Sequence, residues 1–154
     1  MKRLAPDARI LHLGVHGIVD RERSDLLAAL VLADEPPGAA EDGFLHLFEV
    51  YELRLAADLV VLSACETMQG EPVRGEGVLA LSRGFLAAGA RRVVASLWPV
   101  HDDATAELMT RFFGELARGA DAAEALRTAK RSLRARADRE DPFFWAPFVL
   151  SGSL

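Results

Sequence analysis

Residues 55–70 read L-A-A-D-L-V-V-L-S-A-C-E-T-M-Q-G, and this stretch decides the fold. An apolar run bounded by turn-type residues predicts a strand of a parallel sheet buried on both faces. The strand is expected to end on Cys65, the only cysteine in the chain. Open α/β sheets place their ligands at the carboxyl ends of such strands, so Cys65 stands where chemistry is done. A free cysteine is also among the residue types most often buried as an inert small hydrophobe. Position by itself leaves both readings open.

Outward from this strand, residues 10–15, I-L-H-L-G-V, run into His16-Gly17 and predict a second central strand that ends on His16. On the other side, residues 66–77 hold too much Gly and Pro for an element interior. Gly70, Gly75 and Gly77 are followed by no lysine and hydroxyl pair, so this is not a phosphate loop. Residues 76–88 carry Val78, Leu81, Phe85 and Ala88 at helical period, with Gly89 placed as the cap. Residues 91–97 form a third central strand, stopped by Trp98-Pro99. Strand, helix and strand in that order make a βαβ unit of a parallel sheet.

The remaining segments read as follows. Residues 26–32 are apolar enough for a strand or a short helix, and 33–43 are a Pro- and Gly-rich surface loop. Residues 44–54 predict a brief strand and then helical turns carrying Phe48, Tyr51 and Leu55 inward. A helix over 104–116, capped by Asp102 or Asp103, presents Leu108, Met109, Phe112, Phe113 and Leu116. Asp121, with Glu124 three residues on, resembles a capping box opening a helix to about residue 136, with Ala122, Ala125, Leu126, Ala129 and Leu133 inward. In the aromatic tail, residues 145–150 are the expected last strand, with Pro147 at an edge or bulge. Phe143, Phe144 and Phe148 are expected to be structural.

A chain of 154 residues has room for one complete core, so a single domain over 1–154 is expected. The formal charge of −5 argues against a general nucleic-acid binder. Residues 118–140 nevertheless hold seven Lys or Arg against four acids, a pattern typical of a solvated helix face that also suits an acidic partner. One cysteine makes no intrachain disulfide. Neither a signal-length apolar run nor a membrane-length one is present. A reducing, cytoplasmic location with no membrane partner is the expectation.

A cysteine nucleophile needs an imidazole to hold the thiolate and donors for a developing oxyanion. The histidines are His12, His16, His46 and His101. His12 is spaced to share a sheet face with His16 by period 2, and reads as a packed or hydrogen-bonded strand residue. His16 stands at a strand's carboxyl end, and Gly17 beside it leaves its amide approachable by an oxyanion. Adjacent parallel strands ending on His16 and Cys65 would place a Cys–His dyad at one sheet edge. His46 has no evident partner, and His101 lies on the loop after the third strand, where solvation is the ordinary fate. No pair of soft ligands has structural-zinc spacing, so neither metal nor cofactor is expected.

These residues carry a family resemblance. L-H-L-G-V-H-G at 11–17 and L-S-A-C-E-T at 62–67 resemble the histidine and nucleophile motifs of CHAT domains, caspase-like cysteine peptidases often attached to tetratricopeptide repeats. The likeness continues through G-E-G at 75–77, A-G-A at 88–90, V-V-A-S-L-W-P-V-H-D-D-A-T at 93–105, A-L-R-T-A at 125–129 and F-F-W-A-P-F-V-L-S-G at 143–152. It implies an α/β, caspase-like three-layer fold with a mainly parallel central sheet flanked by helices. It also implies peptide-bond hydrolysis by Cys65 with His16, and an oxyanion site from the Gly17 and Cys65 amides. Ser96, Trp98, Asp102 and Glu66 are expected to line the substrate pocket, Asp102 favouring Arg or Lys by charge pairing. Complete CHAT domains are longer and carry elements ahead of the histidine motif, so the resemblance implies a carboxy-terminal catalytic portion lacking the family's amino-terminal part. Expected partners are a protein or peptide substrate, a second chain or homodimer completing the sheet, and a repeat-containing regulator. The competing function is a catalytically silent interaction module derived from the same domain.

Overall fold

The computed structural model describes residues 5–19, 28–32, 42–63 and 76–153. After a 3-10 turn at Ala5–Asp7 come strands β1 (Ile10–Leu13), β2 (Gly17–Val19), β3 (Ala28–Val31) and β4 (Phe44–His46), then helix α1 (Leu47–Glu52). Strand β5 (Leu59–Leu62), helix α2 (Glu76–Ala87), strand β6 (Arg92–Ser96) and helices α3 (Asp102–Ala117) and α4 (Ala122–Arg134) follow. Helix α5 (Pro142–Trp145) and strand β7 (Phe148–Gly152) complete the order.

The main sheet runs β1-β5-β6-β7. Strand β5 is parallel to both neighbours, with Ile10 opposite Leu59 and Val60 opposite Val93, while β7 is antiparallel to β6. Because side chains alternate along a strand, β5 feeds two cores. Val60 and Leu62 join Leu13, Val93, Leu81 and Phe85 on the α2 face. Leu59 and Val61 join Val94, Leu108, Phe112, Ala125, Ala129 and Leu133 on the α3/α4 face. The molecule is therefore a three-layer α/β structure with a mostly parallel sheet, as expected for a caspase-like fold.

Several local expectations are corrected. Residues 17–19, 28–31 and 44–46 form a second, antiparallel sheet, β2-β3-β4, whose Leu30 and Leu45 are buried in the α2-side core. Phe48 and Tyr51 are 54% and 49% exposed, and Leu47 and Val50 are buried instead. Helix α1 starts directly after its cap, His46, so the inward face falls on Leu47 and Val50 and the aromatics lie one position round the helix.

His101, not Asp102 or Asp103, is the N-cap of α3, and the two acids occupy its first turn, where the helix dipole favours them. Asp121 does cap α4, accepting from the Ala123 and Glu124 amides at 2.9 Å. The Glu124 carboxylate accepts from the Arg127 guanidinium and the Thr128 hydroxyl. The tail strand starts later than expected, because Asp141 followed by Pro142 opens a helical turn. Pro147, which has no N–H, precedes β7, and its carbonyl accepts from Leu97 N at 3.0 Å. Phe148 is fully buried, whereas Phe143 is 48% exposed and is not a core residue.

Candidate functional site

The carboxyl ends of β1, β5 and β6 lie side by side at one edge of the sheet. Leu13 is opposite Leu62 and Leu62 opposite Ala95, so continuing the register by one residue aligns Gly14, Ser63 and Ser96 in a row. The expected adjacency of β1 and β5 is present. Cys65 and Glu66 lie outside the described residues, as do residues 67–75. Ser63, two positions before Cys65, is described, and its amide donates to Leu13 O at 3.2 Å.

Strand β1 ends at Leu13, not at His16. The chain leaves the main sheet there, and His16 occupies the link to β2, with its residue exposed. Its carbonyl accepts from Val31 N at 2.8 Å. The backbone at His16 is therefore held by the second sheet, and the period-2 relation to His12 does not apply across the break.

That same bond determines how Gly17 is oriented. Hydrogen-bonded and non-hydrogen-bonded pairs alternate along antiparallel strands. His16 bonds Val31, and Gly17 is opposite Leu30, so the β2–β3 ladder leaves the Gly17 N–H unused and directed away from β3. Gly17 is buried, which is the setting in which an oxyanion donor is effective.

On the third strand, Ser96 is buried and its hydroxyl donates to Trp98 O at 2.6 Å, so it shapes the turn after β6. Trp98 Nε1 donates to Phe143 O at 3.3 Å, joining that turn to α5. Asp102 is exposed on the first turn of α3. Ser96, Trp98 and Asp102 thus follow one another in the chain past the carboxyl end of β6, and β6 itself lies two strand spacings, about 10 Å, from β1. His101 is exposed and makes an edge-on contact with Phe144, ring centroids 6.2 Å apart.

His12 lies on β1, and its Nε2 is 2.8 Å from Ser63 Oγ across the β1–β5 pair. Its ring is tilted against Phe113 of α3 at 5.1 Å between centroids. The residue keeps solvent exposure, and the partial burial of its ring lowers its pKa from the ordinary 6.5. The unfolded chain therefore takes up a proton first as pH falls, so the stability contributed by neutral His12 is complete above about 6.5 and declines below it until the folded-state value is reached. We expect the thermal midpoint to drop as the solution is acidified through that window, and His12→Gln to flatten the drop. Superimposable midpoint–pH curves for the two proteins would contradict this.

His46 does have a partner: its Nε2 is 2.9 Å from Asp42 Oδ2, and its ring stacks on Phe48 at 5.3 Å. This contact is the leading cause that holds the Asp42 carboxyl below the usual carboxylate range. Part of the basic stretch after Arg118 is paired with acids. Arg127 pairs with Glu124, Arg118 with Glu115, and Arg136 with both Glu107 and Asp138. Among the described residues, no group of three His, Cys, Asp or Glu side chains is placed to hold a metal ion. No described helix is long and apolar enough to cross a membrane.

Comparison with known proteins adds the following. The family model of the CHAT domain matches residues 1–153. Tetratricopeptide repeat protein 28 of Homo sapiens is 36% identical over 122 residues, which is 79% of this chain and 5% of the relative. The Mus musculus protein of the same name is 35% identical over the same length. The chain thus spans only a small part of the curated relatives it matches.

Proposed function

Since this chain belongs to the CHAT domain family, a family of caspase-like peptidases, we propose that it is a cysteine endopeptidase in which Cys65 is the nucleophile and His16 its proton-transfer partner. The Cys65 thiolate attacks the scissile carbonyl, and the tetrahedral oxyanion is received by the amides of Gly17 and Cys65. Collapse breaks the C–N bond as His16 gives a proton to the leaving amine, and water then hydrolyses the thioester. The observation that carries this reading is the pairing of β1 with β5 in parallel. It sets the end of β1, from which the chain passes through His16 to β2, beside the segment leading to Cys65. The Gly17 N–H left unused by the β2–β3 ladder supports the oxyanion assignment.

The substrate is a protein or peptide whose residue before the cut is basic. Its pocket is formed by Ser96, Trp98 and Asp102 beyond β6, together with Glu66, and Asp102 supplies the charge. A reducing cytoplasmic setting keeps Cys65 a free thiol. Strand β1 has one neighbour among the described residues, and Ile10 on it is 47% exposed, so a strand from a second chain or a second copy fits that edge. The same edge would serve a silent interaction module, which is the second reading. A tetratricopeptide-repeat segment is a fitting regulator, given the name of the relatives.

A peptide acyloxymethyl ketone with arginine next to the warhead separates the two readings. The expected result is a stoichiometric adduct on Cys65, absent in Cys65→Ala, formed faster than with a glutamate in the arginine's place. Adduct formation no faster than with a simple thiol in solution would leave the interaction module as the function.

A further inference from the structure

We propose that the hydrogen bond between His12 and Ser63 is a positioning device for the nucleophile, tying the carboxyl end of β5 to β1 just before the chain reaches Cys65. This rests on the assignment of Cys65 and His16 above. Leu62 is the last residue of β5, and beyond it the described ties to β1 are the Ser63 amide donating to Leu13 O and the hydrogen bond between Ser63 Oγ and His12 Nε2 at 2.8 Å. Ser63 is two residues before Cys65 in sequence, so the bond fixes the point from which the chain sets out toward the nucleophile.

The surroundings suit a fixed geometry. By strand alternation Ser63 shares the α3/α4 face with Leu59 and Val61. On β1 the same face carries His12, whose ring is braced by Phe113. Gly14 is two residues after His12. A Cβ at Gly14 would sit 3.3 Å from Ser63 Oγ and 3.8 Å from His12 Nε2, so glycine there leaves the pair its space. His12 Nε2 is engaged by Ser63, which makes His12 a positioning residue and leaves proton transfer to His16.

The test is inactivation of the whole chain by the arginyl acyloxymethyl ketone, resolved into Ki for reversible binding and kinact for alkylation. His12→Leu and Ser63→Ala should each lower kinact about ten- to a hundredfold, the range that a misplaced reacting group commands, with Ki unchanged. The double variant should be no slower than the slower single, because both remove one interaction. His12→Gln, which keeps a hydrogen-bonding group near the Nε2 position, should restore kinact. Unchanged kinact in the single variants, independent multiplication in the double, or equal losses in His12→Gln and His12→Leu would each overturn the proposal while His16-dependent inactivation stood. A wild-type protein inactivated no faster than a free thiol would overturn the Cys65 assignment and this proposal together.

Discussion

His16→Ala is expected to reduce peptide turnover by about 10²–10⁴-fold, the usual contribution of a positioned proton-transfer group. It should also move the inflection of the Cys65 alkylation–pH profile upward toward about 8.5, the value of an unassisted thiol. With a pKa near 8.5 only a few per cent of the cysteine is thiolate at neutral pH, so alkylation by iodoacetamide at pH 7 should slow about tenfold. The gain in intrinsic nucleophilicity that accompanies a higher pKa offsets part of that loss. The fold should be unaffected. The contact described at His16 is its backbone carbonyl on Val31 N, which alanine retains, and the residue is exposed. Thermal denaturation of the variant serves as the control. An unmoved inflection in a folded variant would remove His16 from the mechanism.

The second large effect concerns the helix that leads into β6. Gly89→Val should destabilise the protein by about 2–5 kcal/mol, from a strained positive-φ backbone and an intruding side chain. Gly89 has φ +110°, and a Cβ there would lie 2.5 Å from Leu55 O. Around it the end of α2 is closed by Ala90 N on Phe85 O at 3.0 Å and Gly89 N on Leu86 O at 3.1 Å, the pattern of a glycine-terminated helix. Leu55 N donates to Ala88 O at 2.8 Å, so this turn also anchors the approach to β5. For a domain of this size the thermal midpoint should fall by about 10 °C. Chemical denaturation giving a loss below about 1 kcal/mol would show that the turn relaxes without cost.

Period-2 and period-3.6 patterns expose the elements that face one large core. Residues 59–62, 78–88 and 122–133 were legible for that reason, and the inward residues expected of α4 are all buried. Patterns fail where two elements abut without a turn. At His46 a three-residue strand passes directly into α1, and the resulting phase decides that Leu47 and Val50, not Phe48 and Tyr51, face inward. The break after Leu13 is similar. Residues 10–16 look like one strand in composition, but the chain crosses to a second sheet because the ladder with β3 takes up His16 and Gly17.

The candidate site divides along the same line. The motifs around His16 and Cys65 name the chemistry, and apolar runs before them imply buried strands, because a buried parallel strand is recognisable from local composition. The His12–Ser63 bond spans 51 residues in sequence, and nothing local to either residue announces it. Likewise the turning of the Gly17 N–H away from β3 follows from an antiparallel register set by residues 28–31. Sequence by itself determined the family, the three-layer class and which side chains are chemically able to act. Only the tertiary structure decided which strands lie side by side, which amide the β2–β3 ladder turns outward and which histidine meets Ser63. Those depend on register and packing between distant segments, which local composition does not encode.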